Sequence, residues 1–286
     1  MAIDDFPTGA LERWRDLVVA RREQMETQLA AIGGPPDDWW GGRAASFARG
    51  VGDPLGRVPF GLAAIRDRLG RSSTLIDIGG GAGRYALPLA RTLAAVTIVE
   101  PSPAMATYAE AGRVELGLDN VRILGRTWPP ARRWRDLDVA SAVLMANVLG
   151  PDEDLGRWIS SAIQHATDWL FIEHGTVAEY GLTREVIEAI HGEPRVRSPN
   201  VADLLPALHE LNVYPDVQMG QRRFERSYAD LDEATHALVE GAIVPRDDAT
   251  LAEVRRIARR RLRRGDDGRL HEPPLDRPLA FMIWRL

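Results

Sequence analysis

The sequence predicts a doubly wound α/β fold, a largely parallel sheet with helices on both faces. Two patterns carry this prediction. Between Thr74 and Glu173, short β-branched runs alternate with amphipathic stretches of helical length, the rhythm of consecutive βαβ units. The first of these runs, TLIDI, ends in four glycines within five residues, Gly79, Gly80, Gly81 and Gly83. Glycine costs conformational entropy wherever it is fixed, so such a cluster at a strand end implies unusual dihedrals or a close approach of some other group to the main chain.

The elements follow in order. Leu11, Trp14, Leu17, Val18, Met25 and Leu29 recur at helical spacing through residues 8–32, and GGPP at 33–36 stops the run. The segment DDWWGGRAASFARG leads to a helix over 58–69. Strands are expected over 74–78, 95–100, 121–124, 138–145 and 169–173, with helices over 84–93, 103–116 and 152–166 between them. Past Glu173 the pattern loosens into helices over 183–191 and 201–211, strands over 214–224 and 278–284, and two helices between those strands, over 231–241 and 251–264. The expected organisation is an N-terminal helical segment or lid (1–56), a core (57–224), a helical insertion acting as a cap (225–276) and a last core strand (277–286).

Composition narrows the chemistry. The 286 residues are 45% hydrophobic and 27% charged, ordinary values for a soluble globular protein. All 36 basic residues are arginine and there is no cysteine, so lysine bases, cysteine nucleophiles, disulfides and thiolate metal sites are excluded. A net charge of −5 gives no global attraction to nucleic acid or anionic lipid. The acidic N-terminus is unlike a signal peptide and no apolar run reaches membrane-spanning length; the expectation is a cytoplasmic protein that binds neither membrane nor nucleic acid.

The glycine stretch reads Asp77-x-Gly79-x-Gly81-x-Gly83, with Arg84 where a dinucleotide fingerprint would place its third glycine, and no G-K-[ST] follows. The turn is therefore suited to a ligand lying against main chain without a triphosphate. The next strand, VTIVE, ends at Glu100, whose carboxylate is placed to accept two hydrogen bonds from a ribose diol. Together LIDIGGGAG, TIVEPSPAM and DVASAVLMANVLG, in that order, resemble the class I S-adenosylmethionine-dependent methyltransferases over about residues 75–173. The resemblance implies a Rossmann-like sheet and S-adenosylmethionine as cofactor. It implies cofactor contacts from Asp77, Gly79, Gly80, Gly81 and Gly83, from Glu100 to the ribose, from Pro101, Ser102 and Met105 beside the adenine, and from Met145. The family often has an acid after the third strand; here the segment is LGRTW, and Thr127, a backbone carbonyl, or stacking by Trp128 is expected to take its place.

The methyl acceptor is expected to be a small molecule. Asn147 is followed by Val148, Leu149 and Gly150, not by the prolines of amino-group nucleic-acid methyltransferases. The arginines between Arg255 and Arg264 could form an RNA track, or the outer face of a helix capped by a Thr250–Glu253 box, with Leu251, Val254, Ile257, Ala258 and Leu262 buried and Gly265 closing it. The second reading is preferred. An RNA or protein methyltransferase and a non-catalytic cofactor-binding scaffold stay as alternatives. Trp39 and Trp40 either cover the substrate, pack a helix on the core, or line a contact between two copies in a homodimer. Tyr85, Asn147 and Glu173 are further candidates for substrate contact. His174 ends FIEH at the ligand edge of the sheet and is the candidate general base for a hydroxyl acceptor, with Glu173 facing the opposite side. No spaced histidine cluster suggests a metal.

Overall fold

The computed structural model describes residues 9–34, 40, 44–48, 59–131, 134, 137–150, 152–176 and 181–286. In chain order the elements are α1 (Ala10–Ala30), α2 (Ala44–Ala48), α3 (Leu62–Arg66), β1 (Thr74–Ile78), α4 (Ala86–Ala90), β2 (Ala95–Val99), α5 (Pro103–Glu115), β3 (Val121–Leu124), β4 (Ala140–Ala146), α6 (Leu155–Ile163) and β5 (Ala166–Gly175). They continue with α7 (Gly181–His191), α8 (Val201–Glu210), β6 (Asp216–Phe224), β7 (Ser227–Tyr228), α9 (Leu231–Ala242), α10 (Asp248–Arg261), β8 (Arg263–Arg264), β9 (Leu270–His271) and β10 (Leu275–Arg285).

Seven strands form one sheet in the order β3-β2-β1-β4-β5-β10-β6. The first five run parallel and β10 lies antiparallel between β5 and β6. Because the order reverses at β1, the ends of β1 and β4 open a crevice at the carboxyl edge, where open α/β sheets take their ligands.

Strand alternation divides the core. Ile76, Ile78, Val143, Met145, Leu170, Ile172, Ala280 and Met282 face one side and pack with Trp14 of α1, Ile159 of α6 and Leu204 of α8. Leu75, Ala142, Leu144, Phe171, Phe281 and Ile283 face the other and pack with Ile65 of α3 and Leu87 and Leu89 of α4. The N-terminal helix is thus part of the sheet's covering. Trp14 is fully buried, a burial worth about 3 to 5 kcal/mol against alanine, and its indole N–H donates to Asp152 O at 3.2 Å. Glu210 supplies the cap that Gly9 lacks, accepting from the amides of Ala10 and Leu11.

A third apolar cluster lies apart from the sheet, built by α7, α9 and α10 with Tyr228 and Leu262. It includes Leu182, Val186 and Ile187 of α7, which precedes the stretch read from sequence as the cap. The helix of the arginine run differs at both ends from its expected form. Asp247, not Thr250, caps α10, its carboxylate accepting from Thr250 N at 2.9 Å. The helix stops when Leu262 turns extended to bury its side chain, so Arg263 and Arg264 enter a small sheet with β9 and Gly265 closes nothing. Among the described residues no helix is long and apolar enough to cross a membrane.

Candidate functional site

The glycine turn leaves β1 directly into the crevice. Gly79 N donates to Val99 O at 2.7 Å, tying the turn to β2. Gly79 and Gly81 both have left-handed backbones, with φ of 64° and 56°, which side chains other than glycine rarely adopt. A Cβ at Gly79 would lie 2.4 Å from Val148 Cγ1, and one at Gly80 would lie 2.8 Å from Asp77 Oδ2. At Gly81 a Cβ would meet nothing within 4 Å. The turn is therefore packed from below and from the β4 side, and open above Gly81.

Two carboxylates hold the turn. Glu100, buried at the end of β2, accepts from Gly81 N at 2.9 Å through one oxygen and from Ser102 N at 2.8 Å through the other. A carboxylate has about four acceptor sites, and each of its two oxygens holds one main-chain amide. Asp77 lies buried beneath Gly80, on the α4 face, and accepts from the amide of Ala86. Burial first, and the neighbouring Glu100 charge second, push the Asp77 carboxyl up to about 8 against the pull of the Ala86 amide.

The other expected cofactor residues divide. Ser102 caps α5 with its hydroxyl, accepting from Met105 N at 3.3 Å. Met105 is buried with Ala82 of the turn and Ala44 of α2, so α2 rests on one flank of the turn. Pro101 and Thr127 are exposed and Met145 is fully buried in β4. Trp128 does not offer its ring for stacking: it is buried in the core, edge-on to Trp134 and His165. An indole in the loop after β3 buries more apolar surface against these rings than it would at the crevice.

Beside the turn stands a buried polar cluster. Glu173 accepts from Tyr85 Oη at 2.5 Å and from Asn147 Nδ2 at 2.6 Å, and Tyr85 Oη accepts from Gly61 N at 3.1 Å. Burial and the Glu173 charge raise the Tyr85 pKa, so the phenol stays a donor. Asn147 has a left-handed backbone, φ 57°, and is the exposed member of the set. Its successor Val148 is the residue packed against Gly79, so this cluster and the glycine turn are contiguous. Sequence reasoning missed Val148 and Gly61; both contacts join segments far apart in the chain and carry no local signal.

His174 is not in this cluster. Strand β5 continues through Gly175 because β10 pairs along it, with His174 opposite Ala280. Alternation then sends His174 to the α1 face, where it lies 6.0 Å from the Trp14 ring and its Nε2–H donates to Pro199 O at 3.2 Å. Burial holds its pKa down to about 4. The expected base therefore sits on the opposite face from Tyr85, Asn147 and Glu173. Trp40 is half exposed and its carbonyl accepts from Ala44 N at 2.8 Å; Trp39 lies outside the described residues. Four of the five arginines of α10 are engaged with acids: Arg255 with Asp232, Arg256 with Glu253, and Arg260 and Arg261 with Glu185.

The fold is that of the class I methyltransferases. A Bacillus halodurans C-125 protein assigned as a methyltransferase superposes with a TM-score of 0.50 at 14% identity, covering 78% of this chain and 97% of that one. The YcgJ protein of Bacillus subtilis gives the same TM-score and the same coverage at 12% identity. No protein-family model matches the sequence, and neither does any curated protein.

The Asp77 environment predicts a pH dependence. Unfolded, this carboxyl releases its proton near its ordinary 3.8; folded, it keeps it up to about 8. Between those values the folded state binds more protons, so the group's contribution to stability falls as pH rises through the window. Asp77→Asn, which preserves an acceptor for Ala86 N, should flatten that slope and be more stable than wild type at about pH 8, as read by urea unfolding at about pH 5 and about pH 8. An unchanged slope would contradict the assignment.

Proposed function

We propose that this protein transfers the methyl group of S-adenosylmethionine to a small-molecule acceptor. The observation that carries the reading is the open main-chain surface at Gly81, flanked by the Glu100 carboxylate that grips its amide. The class I methyltransferase fold and its crevice at the β1 and β4 ends agree with it. Bound S-adenosylmethionine supplies a methyl group activated on a sulfonium. The chain's part is alignment and exclusion of water: Gly79 and Gly81 let the ligand approach main chain, Glu100 accepts from its ribose hydroxyls, and Met105 with Ala44 walls the side toward α5.

The acceptor approaches at Asn147. That amide is the exposed end of the Tyr85–Glu173 cluster, and Glu173 fixes its orientation by accepting from its Nδ2. The pairing of four of the five α10 arginines with acids supports a small acceptor over RNA. A base role for His174 would need the acceptor on the α1 face of the sheet, so the reading places no proton transfer there.

Calorimetry tests the cofactor reading. Wild type should bind S-adenosylmethionine and S-adenosylhomocysteine, and Glu100→Ala should weaken both by about 1.5 to 3 kcal/mol, the worth of hydrogen bonds to a charged group. A folded wild type that binds neither would end the reading.

The acceptor end is tested by turnover, read as S-adenosylhomocysteine formed from a library of amines and hydroxyl compounds. Asn147→Gly keeps the left-handed backbone and removes the amide; it should lose turnover while holding cofactor affinity. Wild-type turnover in this variant would place the acceptor elsewhere.

A further inference from the structure

Strand β6 is the outer strand of the sheet. It pairs with β10 without a register break from Asp216↔Ile283 to Phe224↔Leu275, and among the described residues no strand lies on its other side. Unpaired edges are templates for another strand, and proteins usually blunt them with proline, bulges or central charge. Here β6 holds no proline, and its middle, Val217 to Gln221, is uncharged. Large apolar side chains are exposed along it, Val217 at 40% and Met219 at 57%, with Tyr214 at 61% two residues ahead of it. On the opposite face Phe60, also exposed, lies over Gly220.

We propose that this edge binds a second copy of the chain, β6 pairing antiparallel with β6 about a two-fold axis at Met219. The geometry restricts the choice. In an antiparallel pair, residues i and j face each other with i + j constant. The outward main-chain groups alternate along the strand, so i and j share parity and one residue must face its own copy. With Met219 on the axis, Asp216 lies opposite Arg222 of the second copy, on the same face, twice in the dimer. Val217 then lies opposite Gln221. An axis at Gln218 sets Asp216 against glycine, and one at Gly220 sets Val217 against Arg223. Among pairs drawn from within β6, only the Met219 register makes the charges complementary, and directly opposed unlike charges stabilise an antiparallel pair. The same register stacks the two exposed methionines on each other.

Sedimentation equilibrium of the full chain at micromolar concentration should give twice the chain mass. Met219→Arg should give the chain mass with an unchanged circular dichroism spectrum. Asp216→Arg and Arg222→Asp should each dissociate the dimer, and the two together should restore it. Because the chain has no cysteine, Met219→Cys tests the register directly. Opposed Cα atoms lie about 4.5 to 5.5 Å apart, within disulfide reach, so mild oxidation should lock this variant as a covalent dimer. Val114→Cys, equally exposed at 62% on α5, should not cross-link. A wild type that sediments as a monomer, a Met219→Arg variant that stays dimeric, or cross-linking at position 114 as fast as at 219 would each overturn the proposal.

Discussion

A turn made of glycines has no side chains with which to hold its own shape, and the structure at the sheet's carboxyl edge depends on the Glu100 carboxylate that holds it from outside. One oxygen grips Gly81 N and the other grips Ser102 N, so a single acid fixes both the turn after β1 and the start of α5. Its charge is also the nearest electrostatic influence on Asp77, which burial already disfavours as an anion. The two acids act from different sides: Asp77, its carboxyl pushed up by burial and by Glu100, supports the turn from beneath, and Glu100 grips it at the open side. A second ionised carboxylate there would repel the first without water to screen it.

The same sheet edge shows how period-two alternation assigns roles. Glu173 and His174 are neighbours in sequence and lie on opposite faces. Glu173 meets Tyr85 from α4 and Asn147 from the end of β4; His174 meets Trp14 from α1 and the Pro199 carbonyl ahead of α8. Burying a neutral imidazole against an indole with one hydrogen bond is tolerable, whereas a buried carboxylate needs donors, and Glu173 has two from side chains. The polar cluster that results is contiguous with the glycine turn through Val148, so a change at Glu173 reaches Gly79 through Asn147 and its neighbour Val148.

Much of this was legible in the sequence because it is local. The parallel strands, their order of appearance, the glycine turn and the acid at the end of β2 are all written in runs of five to ten residues. Alternation also foretold that Glu173 and His174 part ways, but which of them faces the crevice depends on which helices cover each face, and that is a long-range fact. Trp128 was misread because an indole suits a stacking surface and a core equally, and only the positions of Trp134 and His165 decide between them. The α10 cap was misplaced because Asp247 and Thr250 are both good caps, and burial of Val254 and Ile257 against α9 and α7 sets where the helix begins. Gly61, whose amide supports Tyr85, lies 24 residues upstream of it with no pattern to mark it.

The central claim is that the open side of the glycine turn is a nucleoside site governed by Glu100. A crystal structure with S-adenosylhomocysteine tests it most directly. The account predicts density for the adenosyl group against Gly79 and Gly81, with both ribose hydroxyls donating to Glu100 while that carboxylate still accepts from Gly81 N. A ligand bound elsewhere, or one in the crevice whose ribose makes no contact with Glu100, would contradict it.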